Sequence, residues 1–296
     1  MEHTPTDAIL AGLIEQPFRV ERPAQQTCPF VFASPHSGRR YPPSFAAASR
    51  LTPLMLRRSE DAHVDELFSG VVGLGAPLIA AEFPRVYVDV NRAACELDAQ
   101  MYDAALELDI EAPSARVTAG LGVIPRVVRD GIEIYRGRLS PVEARERLEK
   151  LYRPYHAALA RLVNETFARF GTAIVVDCHS MPSGPAVPAI VFGDCYGASV
   201  APPLLRHAER AFETNGFSTA RNAPYAGGYT THLYARREAG IHSVQIEVNR
   251  ALYLDEERIE KSARFEEIRE RLTAALTRLV AFDVIALRPR RPLAAE

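Results

Sequence analysis

The hydrophobic positions of this chain follow two patterns that alternate from one end to the other. Short continuous apolar runs, which are typical of buried strands, are separated by longer stretches with the three-to-four-residue spacing of amphipathic helices. Strands are predicted at 30–33, 77–83, 85–90, 173–178, 189–192 and 243–248. This alternation of strands and helices favours a layered α/β fold.

The most clearly marked helix follows a capping box that begins at Ser140 and includes Glu143, with proline at the first helical position. Pro154 is expected to kink this helix, and Gly171 is expected to end it. An Asp-Gly pair within residues 127–134 predicts the turn of a hairpin. Further helices are predicted at about 54–72, 202–214 and 255–282.

The composition is that of an ordinary globular protein. Of the 296 residues, 47% are apolar and 24% are charged, which argues against disorder. The chain contains no low-complexity linker and no internal repeat. We therefore expect a single domain over residues 1–296, with an ordered core at about 28–285 and a loose tail at 288–296.

The charge balance excludes one class of function and draws attention to arginine. With 35 basic and 37 acidic residues the formal net charge is −2, which disfavours a general nucleic-acid-binding protein. All but two of the basic residues are arginine. Most of this excess is attributed to genome composition, but an arginine at a strand end is a candidate for gripping a carboxylate with its planar fork.

The sequence carries no pattern of a secretion signal or a membrane span. Its first twenty residues lack a long apolar centre, and no window approaches the roughly 20 apolar residues that a membrane-spanning helix needs. The four cysteines form no CxxC pair. We therefore expect a cytoplasmic protein in which all four cysteines are reduced. They are Cys28, Cys95, Cys178 and Cys195.

Polar residues cluster at the carboxyl ends of three predicted strands, where open α/β sheets place their sites. His36 follows the strand at 30–33, His179 follows the strand at 173–178, and Glu247 lies within the strand at 243–248. A single histidine at a strand end is more often structural. Two of them in one sheet, however, can converge on a metal ion.

A hydrolytic zinc site needs three protein ligands and one open position. Two histidines would leave the third ligand to an aspartate or glutamate, and the segment 59–66 is dense in such residues. From the residues alone the choice among them stays open, and a solvated helix face is the alternative interpretation of that segment. Asp177 is predicted to orient the ring of His179 from outside the ligand set.

Glu247 is the candidate general acid and base. A carboxylate in an otherwise apolar strand is costly to bury unless it is paired or lies in a cleft. Burial raises the pKa of such a group towards neutrality, which suits proton transfer during hydrolysis. The alternative interpretation is a structural ion pair between Glu247 and Arg250 or another arginine.

Five segments together resemble the N-formylglutamate amidohydrolase family. The similarity runs in order from about residue 28 to 280, and the combination of motifs is more specific than any single one. The segments are SPHSGRRYPP at 34–43, PRVYVDVNR at 84–92, DCHSMP at 177–182, GGYTTH at 227–232 and QIEVNR at 245–250. The resemblance implies a three-layer α/β/α fold with a mixed, mostly parallel central sheet, similar to that of zinc carboxypeptidases.

The same resemblance implies a set of functional residues. His36 and His179 correspond to the histidine ligands, and Asp65 is expected as the carboxylate ligand, with Glu60 and Asp61 as rivals. Where metallocarboxypeptidases have a ligand glutamate three residues after the first histidine, this chain has Arg39, so its third ligand must come from elsewhere. The implied metal is zinc, and Co²⁺ or Fe²⁺ could occupy such a site.

The implied reaction is hydrolysis of N-formyl-L-glutamate to formate and L-glutamate, with Glu247 as the general base. The substrate is a small dicarboxylate, so two cationic contacts are expected. Arg92 is the first candidate, with Arg85 and Arg250 behind it, and Asn91 resembles the asparagine that assists carboxylate binding. Thr230, Thr231 and His232 lie in a glycine-rich loop that is expected to close over the substrate, although turn formation alone explains such a sequence.

Two alternatives to this function remain open at this point. One is a deacylase for another N-acyl acidic amino acid, because the lining of the pocket cannot be derived from one sequence. The other is a non-catalytic protein that binds a small ligand and whose histidines are structural. The sequence makes no prediction of the oligomeric state.

Overall fold

The computed structural model describes residues 7–108, 112–128 and 131–287, and its centre is a seven-stranded sheet. The strands are β1 (Phe18–Glu21), β2 (Phe30–Ser34), β3 (Leu78–Ala81), β4 (Ala173–Met181), β5 (Ile190–Gly193), β6 (Thr219–Arg221) and β7 (Ile241–Asn249). A separate two-stranded hairpin consists of β8 (Leu254–Asp255) and β9 (Glu260–Lys261).

The sheet has the strand order β1-β3-β2-β4-β7-β5-β6. The four central strands β3, β2, β4 and β7 are mutually parallel, whereas β1 and β5 each run antiparallel to their central neighbour. The outermost strand β6 pairs parallel with β5. The expectation of a mixed, mostly parallel sheet is therefore confirmed.

Ten α-helices surround the sheet in the described part of the chain. They are α1 (Ala8–Glu15), α2 (Pro43–Ala48), α3 (Pro53–Arg57), α4 (Val64–Phe68), α5 (Ala115–Thr118), α6 (Pro141–Arg147), α7 (Arg153–Phe170), α8 (Pro202–Glu213), α9 (Tyr229–Tyr234) and α10 (Phe265–Val280). Short 3₁₀ turns lie at Ser69–Val72, Ala99–Met101, Arg237–Ala239, Arg250–Leu252 and Val284–Leu287. None of the described helices is long and apolar enough to cross a membrane.

Two hydrophobic clusters, one on each face of the sheet, give the fold its three layers. Alternate residues of β4 supply both clusters: Val175 packs with Leu159 and other residues of α7, whereas Val176 packs with residues of α8 and α10. Side chains alternate between the two faces of a strand, so one apolar run can stabilise both layers. The α/β/α arrangement implied by the family resemblance is confirmed.

The helix predicted from Ser140 is present, but it is not one regular element. The Ser140 hydroxyl accepts a hydrogen bond from the N–H of Val142, as expected of a cap, while Glu143 contacts Arg147 rather than closing the capping box. A π-helical turn at Leu148–Tyr152 separates α6 from α7 and immediately precedes the expected kink site. Gly171 ends α7 in the left-handed conformation, with φ 72°.

Three predicted elements differ from the structure. The run at 85–90 forms turns, not a strand, and its apolar side chains reflect burial in a loop. The helix predicted at 255–282 begins only at Phe265, because the hairpin of β8 and β9 precedes it. The helix predicted at 54–72 is interrupted between α3 and α4, where residues 58–63 form a loop.

The start of the ordered core and the predicted hairpin can be compared with the structure only in part. The ordered structure begins before residue 28, because α1 and β1 precede it and β1 pairs with β3. Within the hairpin, Val127 pairs with Glu133, while the predicted turn residue Asp130 lies outside the described residues. The predicted tail at 288–296 also lies outside them.

Candidate active site

Strands β4 and β7 place a row of polar side chains on one face of the sheet. In the register of this pair, Asp177 lies opposite Gln245 and His179 lies opposite Glu247. The intervening residues, such as Ile246, are apolar and belong to the cluster on the other face. Because strand side chains alternate between faces, this spacing directs all four polar groups to the same side.

His36 approaches the same space from just beyond the end of β2, the neighbour of β4. The rings of His36 and His179 are 4.8 Å apart between centroids. Oδ2 of Asp61 lies 3.2 Å from Nδ1 of His36 and 2.9 Å from Nδ1 of His179. All three residues are buried, so two ring nitrogens and one carboxylate oxygen form a compact, enclosed donor set.

The other ring nitrogen of each histidine faces a carboxylate. Nε2 of His36 lies 2.7 Å from Oδ1 of Asp89, and Nε2 of His179 lies 3.0 Å from Oδ2 of Asp177. A carboxylate at Nε2 holds the ring proton there, which leaves the Nδ1 lone pair available to a metal ion. Asp177 thus contacts His179 as expected, and Asp89 has the corresponding position beside His36.

The electrostatics of the donor set favour an ionised Asp61. Without a bound ion, burial opposes the charged form, but hydrogen bonds donated by the rings of His179 and His36 hold the pKa of Asp61 well below its usual value, and a bound ion would replace those ring protons. Two imidazoles and one carboxylate are protein ligands that Zn²⁺ takes in hydrolytic sites. In its chemistry the cluster therefore fits a divalent metal ion.

Glu247 occupies the neighbouring position on β7, and its carboxyl group is buried. Burial, together with the negative charges of Asp61 and Asp177, raises the pKa of Glu247 to about 7, although His179 and Arg250 oppose this. Its Oε1 accepts a hydrogen bond of 2.7 Å from Nε2 of Gln245. Among the described residues Glu247 has no ion pair with Arg250, so the structural-pair interpretation is not supported.

These groups line a cleft of about 890 Å³. The lining includes apolar side chains, among them Val117 and Leu121, and five arginines. The arginines that line the cleft are Arg58, Arg85, Arg92, Arg116 and Arg250. A cleft with a buried donor set and several cations is suited to a small anionic ligand.

Comparison with known proteins agrees with this chemistry. A family model described as N-formylglutamate amidohydrolase matches residues 28–254. The chain belongs to the N-formylglutamate amidohydrolase family. A protein of Pseudomonas aeruginosa named N-formylglutamate deformylase is 29% identical over 77% of this chain and 83% of its own length. A protein of the same name from Pseudomonas putida is 28% identical, over 78% of this chain and 84% of its own length.

Solved structures support both the family and the fold. A crystal structure of N-formylglutamate amidohydrolase from Ralstonia eutropha JMP134 has a TM-score of 0.83 at 34% identity, and the similarity covers 89% of this chain and 96% of that one. A gene product of Agrobacterium tumefaciens has a TM-score of 0.64 at 18% identity, covering 90% and 97% of the two chains. The second similarity concerns the fold alone.

The structure does not place Asp65, the expected carboxylate ligand, beside the two histidines. Asp65 lies on α4, where its Oδ2 is 2.6 Å from Arg19 of β1, and it does not join the histidines. Its rival Glu60 accepts hydrogen bonds from Tyr41 and Arg57 instead. The structure brings Asp61, which the loop at residues 58–63 carries, to the two histidines in place of Asp65.

The three predicted substrate arginines have different surroundings. Arg85 donates to Oδ2 of Asp89 at 2.8 Å. Arg92 donates to the carbonyl oxygens of Leu121 and Asn91, and no carboxylate of the described chain lies within ion-pair distance of it. Arg250 is buried, and its donors face protein acceptors rather than open space. The structure therefore does not support Arg250 as a substrate contact.

Asn91 and the start of α9 pack directly behind His179. Nδ2 of Asn91 lies 3.1 Å from Nε2 of His179, while its Oδ1 accepts a hydrogen bond of 2.8 Å from the N–H of Thr230. A Cβ atom on Gly228 would lie 2.3 Å from Nδ2 of Asn91, so this close approach requires glycine. The glycine-rich motif thus brings α9 into contact with the donor set.

The threonines of α9 face inward rather than into the cleft. Thr230 and Thr231 are fully buried, and the hydroxyl of Thr231 lies 3.4 Å from Oδ2 of Asp177. His232 is exposed and lines the cleft. Of these three predicted substrate contacts, the structure places only His232 at the cleft surface.

Several site residues were not predicted from the sequence. Asp89 stands in the same motif as Asn91 and Arg92, and a search of that motif for a second partner to a histidine would have identified it. Gln245 alternates with Glu247 on one strand face, which is a period-two signal. Arg116 lies on α5, a short helix in an irregular segment, and no sequence signal marks it.

Proposed function

We propose that this chain is a metal-dependent amidohydrolase that cleaves the formyl amide of N-formyl-L-glutamate to give formate and L-glutamate. The observation that carries the proposal is the buried donor set of His36, Asp61 and His179 with Glu247 on the adjacent strand. Family membership and the printed names of the Pseudomonas relatives support the substrate class.

The metal ion would be held by Nδ1 of His36, Nδ1 of His179 and Oδ2 of Asp61. Zn²⁺ is the first candidate, and Co²⁺ or Fe²⁺ would suit the same two-histidine, one-carboxylate set. Such an ion supplies Lewis acidity, which polarises the formyl carbonyl and makes the attacking water more acidic. Asp89 and Asp177 hold the ring protons of the two histidines away from the ion.

Glu247 transfers the protons of the reaction. It takes a proton from the attacking water as the water oxygen bonds to the formyl carbon and an electron pair moves onto the carbonyl oxygen. It then gives this proton to the amide nitrogen as the C–N bond breaks. A pKa near 7 suits both directions of transfer, because neither the acid nor the base form is strongly preferred at neutral pH.

Arg85 would stabilise the negative charge that develops on the carbonyl oxygen. Burial opposes its own charge, but attraction to Asp89, Asp61 and also Glu247 raises the pKa of Arg85 above its ordinary value. It is therefore a permanent cation close to the reacting groups.

The two substrate carboxylates are assigned to Arg92 and Arg116. Burial and repulsion from Arg85 and Arg116 lower the pKa of Arg92, although Asp89 opposes this. Among the described residues neither Arg92 nor Arg116 has an ion pair, so an incoming carboxylate would relieve the repulsion between them. Bidentate guanidinium contacts would then fix the orientation of the substrate.

A deacylase acting on a larger N-acyl acidic amino acid is the second candidate. The observation in its favour is the cleft volume of about 890 Å³, which exceeds the space that a formyl group requires. Comparing turnover of the formyl and acetyl derivatives of glutamate and aspartate separates the two functions. Preference for the formyl compounds supports the first proposal.

Elemental analysis of the purified chain combined with a formate-release assay tests the main proposal. We expect about one divalent ion per chain and formate release from N-formyl-L-glutamate, with both lost in His36→Ala and His179→Ala. His207→Ala on α8, outside the cleft, is the matched control and should keep both. Full metal content in the two site variants would remove those histidines from the ligand set.

A further inference from the structure

Arg250 follows β7 directly and is one of the few buried cations of the described chain. Its Nη2 lies 2.9 Å from Oδ1 of Asp61 and 2.5 Å from the carbonyl oxygen of Glu60. Its Nη1 lies 3.4 Å from the carbonyl oxygen of Arg58. One guanidinium therefore holds both the carboxylate of Asp61 and the backbone of the loop that carries it.

Ser180 completes this contact from β4. Its hydroxyl lies 3.3 Å from Oδ1 of Asp61 and accepts a hydrogen bond of 3.0 Å from Nε of Arg250. Ser180 and Arg250 are both nearly inaccessible to solvent, at 5% and 6% exposure. Water therefore competes little for these donors, and the geometry of the three side chains is fixed by one another.

The two oxygens of Asp61 thus have separate surroundings. Oδ1 receives hydrogen bonds from Arg250 and Ser180, whereas Oδ2 faces Nδ1 of both histidines. A free carboxylate can bind a metal ion through one oxygen or through both. With Oδ1 already occupied by two donors, only Oδ2 remains for an ion.

We propose that Arg250, together with Ser180, is a positioning device that restricts Asp61 to a one-oxygen metal ligand. This inference rests on the proposed metal-dependent function. If Asp61 binds through one oxygen instead of two, one additional coordination position of the ion stays open to water and substrate. A hydrolytic site requires such an open position. The motif QIEVNR predicts Arg250 as a substrate contact, whereas we infer that Arg250 positions the metal ligand Asp61.

The planar fork of arginine is essential to this role because four separate acceptors must be reached at once: the Ser180 hydroxyl, the carbonyl oxygens of Arg58 and Glu60, and Oδ1 of Asp61. Lysine keeps the charge but concentrates its donors at one point, and glutamine keeps a planar donor group without the charge. If the geometry of the Arg250 contacts matters, neither lysine nor glutamine should hold Asp61 as arginine does. If only the positive charge matters, lysine should suffice.

The test uses Co²⁺ as the probe ion in the full chain. We expect Arg250→Lys and Arg250→Gln each to bind Co²⁺ about 10–100-fold more weakly in chelator competition, as for other residues that orient a ligand. Their Co²⁺ absorption bands should also weaken, because the intensity of these bands falls when Asp61 adds a second oxygen. A purely structural role would not change the spectrum of the ion that remains bound.

Ser180→Ala tests the same contact in a chain that keeps Arg250. It removes one donor to Oδ1 without changing any charge, so it should shift the spectrum in the same direction by a smaller amount. Ser199→Ala, a buried serine outside the cleft, is the matched control and should leave binding and spectrum unchanged.

Two results would overturn the inference, and a third concerns the proposed function. Unchanged affinity and spectrum in the Arg250 and Ser180 variants would show that Asp61 needs no clamp, and a wild-type-like Arg250→Lys would reduce the role to charge. Absence of Co²⁺ binding by the wild-type chain would instead contradict the metal-dependent function itself, and the inference with it.

Discussion

The site consists of two halves that are positioned by different means. The strand half comprises Asp177, His179, Gln245 and Glu247 on β4 and β7, which pair in register over nine residues. The loop half comprises His36, Asp61, Arg85, Asp89, Asn91 and Arg92, which follow β2, α3 and β3 in chain order. In the strand half the backbone ladder sets the position of each residue, whereas in the loop half hydrogen bonds between distant segments do so.

The contacts of the loop half show how this is achieved. The N–H of Asp61 donates to the carbonyl oxygen of His36 at 3.0 Å, and the N–H of Asp89 donates to that of Val123 at 2.8 Å. The hydroxyl of Tyr152 donates to the carbonyl oxygen of Arg92 at 2.8 Å. Each contact joins segments distant in sequence, so the loop half is stable only within the complete fold.

The largest predicted difference in metal content and activity is between two variants of neighbouring aspartates, Asp61 in the loop half and Asp65 outside the site. Asp61→Asn should lose bound metal and formate release together, because the third ligand atom is removed or weakened. Asp65→Asn, four residues later, should keep both, because Asp65 pairs with Arg19 outside the donor set. Elemental analysis and the formate assay on both variants check this. Metal loss in Asp65→Asn with retention in Asp61→Asn would restore the ligand expected from the sequence.

In the strand half, Glu247→Gln should keep the metal and lose activity. The amide cannot accept a proton from water, so kcat should fall about 10²–10⁴-fold, the usual effect of a general base. The exposed Glu260→Gln on β9 is the control and should resemble wild type. A kcat for Glu247→Gln within a few fold of wild type would remove Glu247 from proton transfer.

The cleft arginines should have a smaller effect, and on a different kinetic constant. Arg92→Lys and Arg116→Lys lose a bidentate carboxylate contact worth about 1.5–3 kcal/mol, which corresponds to a roughly 10–100-fold higher KM with little change in kcat. Arg161→Lys on the surface of α7 serves as the control. Steady-state kinetics with N-formyl-L-glutamate measure the effect. An unchanged KM in both variants would place the carboxylates elsewhere.

The smallest effect concerns the stability of the metal-free chain. The pKa of Glu247 is raised from 4.5 to about 7, so the folded state binds its proton more tightly than the unfolded state. The free energy of unfolding should therefore fall as pH rises from 4.5 to 7, by at most about 3 kcal/mol. Denaturant unfolding of wild type and Glu247→Gln at both pH values isolates this contribution. Parallel pH profiles for the two proteins would contradict it.

The strand half was predictable from the sequence because its signals are local. The apolar runs 173–178 and 243–248 indicate strands, and the polar residues at their ends indicate a site. Pairing of the two strands then places His179 and Glu247 side by side. The family resemblance added the chemistry to a geometry that the alternation already implied.

The loop half was only partly predictable. His36 was identified because it follows a strand, but the third ligand was assigned to Asp65 instead of Asp61. The resemblance implies Asp65 from its position in the sequence, which carries no information about the loop at residues 58–61 that hydrogen bonds from Arg250 hold in place. Such long-range contacts leave no periodic signal, and the same is true of Arg116 in its irregular segment.

The proposed function requires that His36, Asp61 and His179 together bind one metal ion. Titrating metal-free chain with Zn²⁺ while measuring formate release from N-formyl-L-glutamate tests it most directly. We predict that turnover is absent without the ion, rises in proportion to the ion bound and saturates at one ion per chain. Full turnover by chain that remains metal-free under a chelator would exclude a metal-dependent reaction.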